Sequence, residues 1–251
     1  RLPRYGSLRR AASTIRPDLR ILAMSATPDV DGLTRLLEAP VVASDGRMFD
    51  VEMHWMPRAP TGGARGRSTK RGPGRPDRIE PAVVAAVSRA LREQSGDILV
   101  FLPGIGAIRR AESQLNDVVG PDVDIYPLAG ALTTTEQDLA LAPSPPGRRR
   151  VVLSTDIAET SLTVDGVRVV VDSGLAREPR FDARTGLTRL TTVSTSRASA
   201  EQRAGRAGRT EPGAAYRLWS KIEHGTRTRH RSPEILQADL AWQHYTKTRA
   251  I

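Results

Sequence analysis

The 251-residue sequence contains no cysteine. That excludes a disulfide framework, a thiol nucleophile and a cysteine-ligated zinc, and it makes a reducing cytosol the expected compartment. No run of about 18 apolar residues occurs, so no membrane span is expected. The chain begins at Arg1 rather than Met, and no apolar stretch follows the early arginines. A secretory signal is therefore not expected, and the sequence reads as part of a longer chain. No Gly-Lys dipeptide occurs, so the Gly-rich loop that cradles phosphates with a Lys is missing. No Asp-Glu dipeptide follows any apolar run, and no Gly-x-Ser-x-Gly elbow is present. His54, His224, His230 and His244 have no spacing suited to a metal, so no metal site is expected. Aromatic residues make up only 4% of the chain, but the apolar share of 39% suffices for a packed core.

What the sequence has in excess is positive charge. The net charge is +10, which fits a polyanionic partner such as nucleic acid, although Arg- and Ala-rich coding composition accounts for it equally well. The charge is uneven: residues 1–20 carry +5, residues 58–78 carry +6 and residues 221–251 carry +3, which leaves −4 for the rest. Residues 58–78 are dense in Gly, Pro and Arg without any apolar period. Such a segment cannot offset its ordering entropy by burial and reads as a flexible basic linker.

The remainder alternates between two periods. Residues 79–94 place Val83, Val84, Val87 and Leu91 at helical spacing, and residues 105–119 do the same with Ile105, Ile108, Leu115 and Val119. Thr133–Leu141 is a helix with hydroxyl caps, and residues 198–208 are a further helix. Short apolar runs at Ile21–Met24, Ile98–Leu102, Val123–Leu128, Arg150–Ser154, Val167–Asp172 and Ala214–Trp219 read as buried strands. Residues 175–193, with Ala183-Arg184-Thr185-Gly186 at the centre, read as a hairpin. Alternating strands and helices predict an α/β fold, a parallel sheet with helices on both faces. In such sheets ligands sit beyond the carboxyl ends of the strands. Ser25-Ala26-Thr27, Pro103-Gly104, Thr155-Asp156 and Ser173-Gly174 occupy those places.

Two constellations carry chemistry. Within Gln202-Arg203-Ala204-Gly205-Arg206-Ala207-Gly208-Arg209, a helix would set Gln202, Arg206 and Arg209 on one face, with small residues between them. Two guanidiniums aimed at one point suit a phosphoryl group whose charge spreads over several oxygens; a Gly/Arg-rich RNA-binding loop or a solvated helix uses the same composition. Ser154-Thr155-Asp156-Ile157-Ala158-Glu159-Thr160-Ser161-Leu162-Thr163 sets hydroxyls at a strand-to-helix junction. That is either an anion site or ordinary N-capping. Ser25-Ala26-Thr27 is a short match by itself.

Together these segments resemble the second half of a DEAH-box superfamily 2 helicase. QRAGRAGR at 202–209, STDIAETSLT at 154–163, FLPG at 101–104 and SAT at 25–27 match its motifs VI, V, IV and III. GRMFDVEMHW, DILVFLPGIGAIRRAESQL, RFDARTGLTRL and RSPEILQADLA resemble the bacterial HrpB branch. The resemblance implies a RecA-like P-loop NTPase fold, ATP bound with Mg²⁺ between two such domains, and single-stranded nucleic acid, RNA above all, crossing both. It implies arginine fingers at Arg206 and Arg209, a γ-phosphate contact at Gln202, and nucleic-acid backbone contacts at Thr155 and Ser161. Thr163 and Asp165 fall near the nucleotide ribose, Ser25 and Thr27 couple hydrolysis to unwinding, and the 175–193 hairpin helps part strands. Leu141, two residues before Pro143, stands where relatives carry an aromatic residue that stacks on a base, which implies loose base selectivity. By this resemblance residues 1–45 end a first RecA-like domain, 46–221 form the second, and 222–251 begin a helical or winged-helix region. The ATP-binding loop and the Mg²⁺ ligands are then expected upstream, so this chain alone is expected not to hydrolyse ATP. A non-catalytic nucleic-acid-binding or regulatory module of the same fold is the alternative, and a chain without a stable fold is the third reading.

Overall fold

The computed structural model describes residue 18 and residues 20–21, 34–35, 37–42, 49–58, 78–160, 164–182 and 185–230. The expected strand Ile21–Met24 beyond Ile21, the hydroxyls Ser25, Thr27, Ser161 and Thr163, most of the basic segment 58–78 and residues 231–251 lie outside the described residues. The chain separates into two units. One comprises Met48–Arg177 and Thr192–Arg229, the other Arg1–Arg47, Glu178–Thr191 and His230–Ile251.

The first unit is built on a six-stranded sheet. Its strands are β1 (Val51–Trp55), β2 (Asp97–Phe101), β3 (Val123–Leu128), β4 (Arg149–Ser154), β5 (Val167–Asp172) and β8 (Gly213–Arg217), in the order β1-β8-β5-β2-β4-β3. All five pairings are parallel. Central strand β2 is buried at every residue, which is why its sequence DILVF shows no polar alternation after Asp97. Pro127 lies in β3, an edge strand, where its missing N–H breaks no inner ladder.

Helices cover both faces. Ile98 and Val100 pack with Val83 and Val87 of α1 (Glu80–Glu93) and with Ile108 and Leu115 of α2 (Ile105–Asn116). Leu99 and Phe101 point the other way, onto Ala140 of α3 (Thr134–Leu141), Ala158 of α4 (Ile157–Thr160) and Ala204 of α5 (Arg197–Ala204). Helix α6 (Lys221–Thr226) follows β8. Fully burying each aliphatic side chain contributes about 1.5–3 kcal/mol. The hydroxyl cap expected on α3 is a capping box: Glu136 N–H donates to Thr133 Oγ1 at 3.3 Å while Thr133 N–H donates to Glu136 Oε2 at 2.8 Å. Leu141 is half-buried and packs against the second core.

Strands β6 (Leu175–Asp182) and β7 (Leu187–Ser194) pair as the expected hairpin. Its turn closes as Thr185 N–H and Gly186 N–H both donate to the Asp182 carbonyl, with Gly186 at φ +65°.

Three element ends differ from the sequence reading by two residues or more. Helix α2 stops at Asn116 rather than 119, because Val118 and Val119 both donate to the Leu115 carbonyl in a closing turn. Strand β8 ends at Arg217, so Trp219 is buried beyond the strand and not within it. Helix α5 ends at Ala204 rather than 208. Past that point Arg206 N–H donates to the Arg203 carbonyl and Ala207 N–H to the Ala204 carbonyl, a tighter i to i−3 pattern. Two glycines within four residues explain the early end, since glycine lowers helix propensity by about 1 kcal/mol each.

At the amino ends of β2 and β4, Arg150 is fully buried and donates from Nε to Asp97 Oδ2 at 2.7 Å. It also donates to the carbonyls of Ala140, Ala142 and Asp165. One guanidinium thus ties α3 and the segment before β5 to the sheet.

Candidate functional site

Two segments meet on the face covered by α3 to α5. The first leaves the carboxyl end of β4. Thr155 N–H donates to the Leu128 carbonyl at 3.3 Å, and Ser154 is buried with its hydroxyl on the Thr155 carbonyl at 2.9 Å. Thr155 itself is half-buried at the start of α4. The second segment is α5 and the turn after it. Ser196 caps α5 by accepting from Ser199 N–H at 3.2 Å. The turn ends against the amino ends of β1 and β8: Phe49 N–H donates to the Gly208 carbonyl at 2.9 Å.

Arg203 joins the two segments. Its side chain is completely buried. Nε donates to Glu159 Oε2 at 3.1 Å, Nη1 to Asp172 Oδ1 at 2.7 Å, and Nη2 to Asp156 Oδ1. Nη1 and Nη2 also reach the Leu175 carbonyl at 3.3 and 3.4 Å. The guanidinium carbon lies 4.8 Å from the centre of the Phe101 ring. Burial opposes the charge of Arg203, but Asp172, Asp156 and Glu159 outweigh it and hold its pKa above the ordinary value. Glu159 also accepts from Ser199 Oγ at 2.6 Å.

Arg206 is half-buried and donates from Nη2 to the main-chain carbonyl of Glu159. Burial lowers its pKa first, and the nearby Arg209 charge lowers it further, with Glu159 pulling the other way. Arg206 and Arg209 are therefore close enough to repel. Arg209 is exposed and Gln202 half-buried on α5. The expectation that Gln202, Arg206 and Arg209 share one helical face is corrected: Gln202 is helical, whereas both arginines belong to the turn past Ala204. The two guanidiniums still fall on one short segment.

Asp165 is exposed, and its carbonyl accepts from Arg150 at the amino end of β4. It lies at the opposite end of the sheet from Thr155. The candidates therefore divide between the two ends of the strands, with Arg206 linked through Glu159 to the Thr155 segment. Arg203 has no role in the sequence reading, yet it is the centre of the arrangement. A signal for it exists: Ala200, Arg203, Ala204 and Ala207 follow helical spacing and are all buried, so Arg203 sits on the apolar stripe.

Residues 82–211 match the helicase conserved C-terminal domain. The chain belongs to that family. It is 47% identical over 228 residues to the ATP-dependent RNA helicase HrpB of Escherichia coli (strain K12), covering 90% of this chain and 26% of that protein. It is 36% identical over 234 residues to the probable ATP-dependent RNA helicase DHR2 of Saccharomyces cerevisiae (strain ATCC 204508 / S288c), covering 90% of this chain and 30% of that protein. The crystal structure of the Escherichia coli DEAH/RHA helicase HrpB superposes with a TM-score of 0.82 at 46% identity, over 94% of this chain and 28% of that one. The expected DEAH-box resemblance of the HrpB type and the RecA-like fold both hold. The chain spans between a quarter and a third of the length of these relatives.

Proposed function

We propose that this helicase C-terminal domain serves as the second RecA-like domain of an ATP-dependent RNA helicase, with residues 1–45 and 222–251 belonging to the neighbouring domains. The observation that supports this most directly is the arginine turn. Arg206 is held on the Glu159 carbonyl beside the like charge of Arg209 in a half-buried setting. A polyanion relieves that repulsion, and a transferring phosphoryl group is a polyanion. In this reading Arg206 and Arg209 stabilise the transferring phosphoryl and Gln202 contacts the γ-phosphate. Asp165 and Thr163 face the ribose. Thr155 and Ser161 hold the nucleic-acid backbone, and Ser25 and Thr27 couple the two activities. The cytosol is the proposed compartment.

Mg²⁺ is supplied from the other domain in this reading. Asp156, Glu159 and Asp172 are committed to Arg203. Among the described residues no group of three His, Cys, Asp or Glu could hold a metal. These three carboxylates thus do not fit a Mg²⁺ cage.

The test is ATP hydrolysis by the purified chain, alone and mixed with the first RecA-like domain of Escherichia coli HrpB and a single-stranded RNA. The expected result is background turnover alone and RNA-dependent turnover in the mixture. Arg206→Ala should lower that turnover by about 10³–10⁵. Robust turnover by the chain alone, unchanged by Arg206→Ala, would sink the reading. RNA binding that survives Thr155→Ala, without turnover in the mixture, points instead to the non-catalytic binding module.

A further inference from the structure

We propose that Arg203 is the positioning residue that fixes the arginine turn relative to the Thr155–Glu159 segment and the start of the hairpin, so that Arg206 meets a bound phosphoryl group in a single geometry. The inference rests on the function proposed above and extends it to a residue that makes no ligand contact itself.

The guanidinium has five N–H donors in a fixed fork. All are engaged, on carboxylates from two segments of the chain and on the Leu175 carbonyl at the base of the hairpin. Asp156 and Glu159 come from the stretch after β4, and Asp172 is the last residue of β5. Asp172 Oδ1 also accepts from Gly174 N–H at 2.8 Å, so the same carboxylate sets the turn into β6. On its main-chain side, the Arg203 carbonyl accepts the N–H of Arg206 at 3.1 Å. Glu159 is thereby gripped twice: Arg203 holds its carboxylate and Arg206 holds its carbonyl. Neither grip can shift without the other.

A buried ion cluster of this kind is poor evidence for stability, because a well-packed apolar replacement is often neutral. Its directional fork is better suited to holding three segments in register. A displacement of about 1 Å at a catalytic group can cost about 10²-fold in rate. Lysine keeps the charge at this position but cannot form the fork.

The experiment uses the full chain in the HrpB mixture described above, with kcat and KM for ATP measured per folded molecule and thermal melting followed in parallel. Arg203→Lys should melt cooperatively, lose kcat by about 10²-fold and keep KM for ATP within about threefold. Glu159→Gln keeps the size of the side chain and the main-chain bond to Arg206, and it should lose kcat by about tenfold with KM unchanged. A lower melting temperature with kcat within about twofold of the parent shows a merely structural role and overturns the proposal. If Arg203→Lys does not fold, Glu159→Gln decides by the same criterion. Arg206→Ala is the control that separates the two ideas. If it leaves turnover unchanged, the function reading falls. If it abolishes turnover while Arg203→Lys and Glu159→Gln do not reduce kcat, the positioning role alone falls.

Discussion

Arg203 Nη1 and Asp172 Oδ1 lie 2.7 Å apart with both side chains out of contact with water. The pair joins the last turn of α5 to the carboxyl end of β5. Removing the cation takes from Asp156, Glu159 and Asp172 the guanidinium that all three share. Breaking a buried ion pair by deleting one partner costs about 3–5 kcal/mol. Arg203→Met is expected to lower the urea midpoint by a corresponding amount or to abolish the cooperative transition. An unchanged midpoint would show that solvent reaches the carboxylates.

Gly208 makes a different kind of demand. A Cβ there would sit 2.5 Å from the Phe49 carbonyl oxygen and 2.7 Å from Val51 Cγ2. Main chain cannot yield as a flexible side chain can, so β1 or the turn must move. Overpacking of this kind costs about 1–3 kcal/mol. Gly208→Ala should reduce stability by that much and displace Arg209, weakening hydrolysis in the reconstituted mixture. Gly106→Ala is the control, because its Cβ would meet only Arg110 Nη1, at 3.4 Å.

The helix cap at Thr133 offers a calibration far from the arginines. Thr133→Ala removes the acceptor for Glu136 N–H, and Glu136 loses its bond from Thr133 Oγ1 at 2.7 Å. The expected loss is about 1 kcal/mol of unfolding free energy. ATP turnover at 20 °C, about room temperature, should be untouched. A loss of turnover would mean that α3 takes part in the site.

His224 makes stability depend on pH. Its ring stacks on Trp219 at 6.2 Å and tilts against Trp55 at 5.3 Å. Burial lowers its pKa first, and Arg217, Arg227 and Arg197 lower it further against the opposing pull of Glu201. The folded state therefore binds the proton less well than the unfolded state. Its contribution is fully present above the unfolded value of about 6.5 and is lost as pH falls through the folded value. The melting temperature should drop between about pH 7.5 and about pH 5, and His224→Gln should flatten the drop. An identical pH profile in the variant would remove His224 as its source.

Much of this fold follows from local pattern. The apolar runs at β2, β4 and β5 are buried from nearly every side, so they show no alternation and are legible without a structure. The valines of α1 and the box on α3 report their own helices for the same reason: the determining contacts are a few residues away. The end of α5 was less legible, because the sequence shows small residues and arginines in helical order but not which backbone bonds survive two glycines. Leu141 shows the same limit. Its place in the motif order marks a ligand-facing position, and only the fold shows that the side chain is also half-buried against the second core.

The residues of the arginine turn, the hydroxyls after β4 and the family they indicate are properties of the order of amino acids, because they depend on side-chain identity at fixed spacing. Which charge holds the site together is not. Asp156, Glu159, Asp172 and Arg203 stand as far as 47 residues apart in the chain. Only the parallel sheet, by aligning the carboxyl ends of β4 and β5 beneath α5, brings one buried guanidinium to three carboxylates. An ion cluster in a low-dielectric interior exists only once the whole fold has excluded water from it, so only the tertiary structure could decide it.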